Sequence, residues 1–102
     1  MIINGKEYKN VPIDFNAFCK LEEMGVDIRN IESKMFSSAR AYAMLCMRKS
    51  ALVAGQEIEQ HVINGGSINE IIETFAKELE KSGFFQALAK QMAESATEET
   101  EE

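Results

Sequence analysis

Residues 67–81 read Ser67-Ile68-Asn69-Glu70-Ile71-Ile72-Glu73-Thr74-Phe75-Ala76-Lys77-Glu78-Leu79-Glu80-Lys81. Apolar residues fall at Ile68, Ile71, Ile72, Phe75, Ala76 and Leu79. That i, i+3, i+4, i+7 spacing lays one continuous stripe along a helix. The opposite face carries Glu70, Glu73, Lys77, Glu80 and Lys81, with Glu73 four residues ahead of Lys77 in the favourable order. Ser67 and Glu70 form an S-x-x-E capping box that fixes the start. A stripe this regular needs a partner surface, so the flanking segments must supply the rest of a helical core.

On the carboxyl-terminal side, Ser82-Gly83 ends the helix and Phe84-Phe85 open a last one, with Phe85, Leu88, Ala89 and Met92 on one side. From Glu94 the chain is acidic and lacks large apolar residues, which predicts a disordered tail over 94–102. On the other side, Asn64-Gly65-Gly66 is a break. Before it, 56–63 reads as a short helix with Ile58 and Val62 inward. The longest apolar element is expected over 39–54, capped by Ser37 or Ser38 and closed by Gly55. Its middle, Ala41-Tyr42-Ala43-Met44-Leu45-Cys46-Met47, is apolar all round, the mark of a helix surrounded by protein or shared with a partner. Arg48 and Lys49 follow where positive charge suits the helix dipole.

Residues 27–34 read as a short helix or turn with Ile28 and Ile31 inward. Asp14 is a good cap for a helix running to Met24 and stopped by Gly25, with Ala17, Phe18, Leu21 and Met24 on its apolar face. The amino terminus is a hairpin: Ile2-Ile3, a type I′ Asn4-Gly5 turn, then Glu7-Tyr8-Lys9. A two-stranded hairpin is marginal alone, so it must lie on the helices or pair its edge with another chain. The expected fold is α+β, mainly α: a short N-terminal β-hairpin packed with five or six helices, as one domain over 1–93.

The 102 residues carry 17 acids against 11 bases, a net charge of −6. Glu98, Glu99, Glu101 and Glu102 hold much of the excess, and the bases are scattered. Such a chain is a poor nucleic-acid ligand. The acidic outer face of 68–81 also argues against a recognition helix after Asn64-Gly65-Gly66. Neither a membrane span nor a signal peptide is visible, and Cys19 and Cys46 in apolar stretches read as reduced core thiols, so the chain is expected in the cytoplasm.

No catalytic constellation is legible. His61, the single histidine, has no Cys or His at metal spacing and is expected to face solvent, with Glu57 one turn away. The break before Ser67 lacks the lysine and spacing of a phosphate loop. No cofactor or metal is expected. What remains is a soft apolar inventory, including Met24, Met35, Met44, Met47, Met92 and six phenylalanines. These fill a core, or form a groove adaptable to a client's apolar helices, or both.

Three features in order carry a resemblance. They are the hairpin Ile3-Asn4-Gly5-Lys6-Glu7-Tyr8, the segment 13–25 containing Asp14-Phe15-Asn16-Ala17 and Leu21-Glu22-Glu23-Met24-Gly25, and 68–79 followed by Glu80-Lys81-Ser82-Gly83-Phe84-Phe85. Together they resemble the tail assembly chaperones of long-tailed bacteriophages and prophages of Gram-positive hosts. The likeness spans roughly residues 1–85; within it, 33–63 matches in helical character only. The resemblance implies a non-enzymatic protein that binds and solubilises the apolar, helical tape measure protein, recruits tail tube subunits, and leaves before the particle is complete. Many such chaperones also occur in a frameshift-extended form. Apolar excess places the expected client surface at Tyr42, Met44, Leu45 and Met47 together with Phe84 and Phe85. The hairpin edge and apolar central helix also make a homo-oligomer plausible. The alternative is a structural minor tail or connector protein retained in the virion.

Overall fold

A computed structural model describes the backbone of residues 1–101 and the side chains of residues 1–93; the side chains of the expected acidic tail, 94–102, lie outside the described residues. The elements are β1 (Ile2–Ile3), β2 (Lys6–Glu7), α1 (Phe15–Glu23), a 3-10 turn (Ile31–Lys34), α2 (Met35–Met47), α3 (Ala51–Ile63), α4 (Ile68–Lys81) and α5 (Gly83–Glu101). The fold is mainly helical with a two-stranded antiparallel sheet, as the patterning predicts.

Small polar side chains mark where helices start. Asp14 Oδ1 accepts from the Ala17 amide at 2.9 Å, Ser50 Oγ from Val53 at 3.3 Å, and Ser67 Oγ from Asn69 at 3.1 Å. Each satisfies an amide that the helix itself leaves unpaired. Ser82 does more. Its Oγ accepts from Phe85 at 3.1 Å and donates to the Ile13 carbonyl at 2.5 Å, so it both caps α5 and ties it to the segment leading into α1.

The expected 39–54 helix is two helices. The chain leaves α2 at Arg48, which adopts the left-handed conformation (φ 57°, ψ 45°), and restarts at the Ser50 cap. Gly55 is therefore inside α3, where a Cβ would lie 3.6 Å from Arg40 Cδ, and is no terminator. Neither Ser37 nor Ser38 caps α2. The helix grows directly out of the 3-10 turn at Met35, a common way to begin without a side-chain cap, and Ser38 is a buried hydroxyl without a partner.

α2 is the central element and packs on α3, α4, α1 and the 3-10 turn. Tyr42 and Phe75 form its heart: both are fully buried and their rings stack 4.9 Å apart at 6°. The α4 stripe behaves as read, with Ile71, Ile72, Phe75 and Leu79 buried and Ile68 and Ala76 packed against them. Ile3 pins the hairpin to this core on the α3 side. Asn4 and Gly5 both have positive φ (52° and 80°), the type I′ geometry that suits strand twist.

Candidate client-binding surface

α1 divides two open grooves. On one side, Phe15, Phe18, Phe84 and Phe85 form an aromatic cluster between α1 and α5. Phe84 meets Phe15 and Phe18 edge-on, at centroid distances of 5.2 and 5.0 Å, and Phe18 lies 6.0 Å from Phe85. Edge-on pairing sets ring hydrogens against a neighbour's π face, adding to the gain from burial. The rings bridge the two helices and leave a cleft of about 760 Å³, continued by Val26, Ile28, Leu88 and Met92. Phe15 is 59% exposed and Phe84 37%. Large apolar groups held half in water by an ordered frame are the usual mark of an interaction site.

The second groove, of about 610 Å³, lies between α1 and the end of α2. Met24, Met44 and Leu45 line it, with Lys20, Arg48 and Lys49. A third, shallower one runs between α2 and α3, lined by Phe36, Arg40, Val62, Ile63 and Ile68. Phe36 at its mouth is 72% exposed.

The six expected client residues therefore do not form one surface. Tyr42 and Met47 are in the core and offer nothing to a partner. Met44 and Leu45 are half-buried in the second groove, and Phe84 and Phe85 lie in the aromatic cleft across α1. An apolar run with no polar face cannot say which of its residues face outward; packing of Phe75 on Tyr42 decides that here. Phe15, Val26 and Ile28 also line the cleft, and the apolar patterning does not assign them to it. Phe15 could have been found, because it follows the Asp14 cap yet falls off the Ala17–Phe18–Leu21 face.

His61 does not face solvent as expected. Its Nδ1 accepts from the Asn4 amide at 2.9 Å, and Nε2 is buried without a partner against Gly66. Glu57 reaches the hairpin rather than the imidazole, accepting from Asn4 Nδ2 at 3.0 Å. The residues at 57 and 61 thus latch the hairpin turn to α3. Cys19 and Cys46 are free and half-buried rather than fully enclosed. Burial pushes the Cys46 thiol above its ordinary value, and the Tyr42 phenol likewise. Among the described residues no three His, Cys, Asp or Glu converge in a metal-binding group, and no helix is long and apolar enough to cross a membrane. No protein-family model, curated protein or solved structure matches the chain.

Proposed function

We propose that this chain is a binding protein without catalytic chemistry, which covers apolar helical segments of another polypeptide during assembly. On the sequence resemblance, the client is a phage tape measure protein, kept soluble in the host cytoplasm while tail tube subunits are recruited. The observation that supports this best is the aromatic cleft, where Phe15 and Phe84 stand partly in water between α1 and α5. A helix-in-groove partner would bury them. At about 25 cal/mol per Å², covering even 100–200 Å² of such surface supplies a few kcal/mol. That suits reversible binding, as a chaperone needs.

Co-expression with a tape measure protein tests the reading. Native chain should hold the client in the soluble fraction. Phe15→Ser combined with Met92→Ser removes exposed cleft groups and should abolish that solubility while leaving the helical circular dichroism intact. A folded double variant that still solubilises the client overturns the cleft as the site. A native chain that fails to do so overturns the function.

A further inference from the structure

The groove on the other side of α1 has a different chemistry. Its floor is Met24, Met44 and Leu45, and its rim is Lys20, Arg48 and Lys49. In a chain of net charge −6, this concentrates cations that have no ion-pair partner among the described residues, where the pair found is Lys81 with Glu78. Asp14, the carboxylate that also lines the groove, is engaged in capping α1. Arg48 is the most informative of the three. It stands at a left-handed helix terminus, where glycine is the unstrained residue. The backbone there tolerates strain and presents a charge at the groove mouth.

We infer that this groove takes an acidic amphipathic helix of the partner polypeptide. The partner's apolar residues lie on the adaptable methionine and leucine floor, and its carboxylates meet Lys20, Arg48 and Lys49. Screening confines the contest to local charges, since the Debye length is about 8 Å at physiological salt. The overall acidity of the chain therefore does not repel such a segment from this face. Nucleic acid fits less well: no aromatic ring lines the groove for base stacking, and the floor is apolar. The inference rests on the reading of this chain as a binder of another protein's helices, and adds which charge that helix carries.

The test uses the full chain and two synthetic helical peptides with the same leucine stripe, one flanked by glutamates and one by lysines. Fluorescence anisotropy should show the glutamate peptide binding about tenfold tighter at low salt, with the preference lost near 1 M salt. Resonances of Met44 and Leu45 should shift. Arg48→Gly with Lys49→Ser should lose about tenfold in affinity without a fall in melting temperature, because glycine relaxes the left-handed position. Equal binding of both peptides, no binding of either, shifts confined to Phe15 and Phe84, or preference for a single-stranded oligonucleotide would each overturn the inference. If the groove fails while the Phe15 and Met92 substitutions still abolish client solubility, the proposed function stands without it.

Discussion

Tyr42 is fully enclosed, its ring on Phe75 and its hydroxyl donating to the Val11 carbonyl at 3.1 Å. Burial pushes its phenol well above the ordinary value, and the neighbouring Cys46 and Glu78 push the same way. A raised phenol holds its proton more tightly in the folded chain than in the unfolded one. The resulting stability is complete below the unfolded value of about 10 and is lost as pH rises past it. Urea melts should therefore show the midpoint falling above about pH 10 in the native chain and falling less in Tyr42→Phe. The same slope in both would remove Tyr42 as the cause. Near neutrality the variant should be about 1 kcal/mol less stable, having lost a buried hydrogen bond. The sequence showed a phenol in an apolar run but could not supply its acceptor, which lies on a segment far away in the chain.

Among the elements, the turn between α2 and α3 is the least legible in sequence and the simplest to explain afterwards. Gly55 looked like a terminator, yet the chain breaks where a serine can cap the next helix and where Arg48 accepts positive φ. Replacing Ser50 by Ala should cost about 1 kcal/mol and speed hydrogen exchange at the Val53 amide. Arg48→Gly alone should raise stability by about 0.5–1 kcal/mol in the same melts. A loss instead would mean that the arginine side chain is structural. The hairpin latch depends on Gly66 for a different reason: a Cβ there would run into the His61 ring. Gly66→Ala should displace the imidazole, break its bond with the Asn4 amide, and cost about 1–3 kcal/mol. Faster exchange at Asn4, with the α4 amides unchanged, is the expected signature. By contrast, the starts and buried stripes of α1 and α4 are readable, because each has a cap, a clean stripe and a polar opposite face in one stretch of chain, although Ser67 meets the Asn69 amide rather than that of Glu70.

For the whole molecule, periodicity specified α1 and α4 but neither the break between α2 and α3 nor the grooves between the helices. Phe84 borders the Phe85–Leu88–Met92 stripe, four residues before Leu88, whereas Phe15 falls off the α1 stripe. They become a site only because Ser82 ties the start of α5 to Ile13, just ahead of α1. Under the proposed function, that arrangement also bears on whether the protein stays in the particle. The aromatic cleft is open and partly wet, and only a few side chains would anchor a client helix there. A few kcal/mol corresponds to dissociation constants near millimolar, and with association at about 10⁵–10⁷ M⁻¹s⁻¹ each contact lasts about 0.1–10 ms. Tube subunits that pack repeatedly along the client would outlast each such contact and displace the chain as they polymerise. Mass spectrometry of purified particles should therefore find tape measure and tube proteins but not this chain. Its recovery in fixed stoichiometry would instead identify a retained minor tail or connector component, and would require a larger, drier interface than the cleft provides.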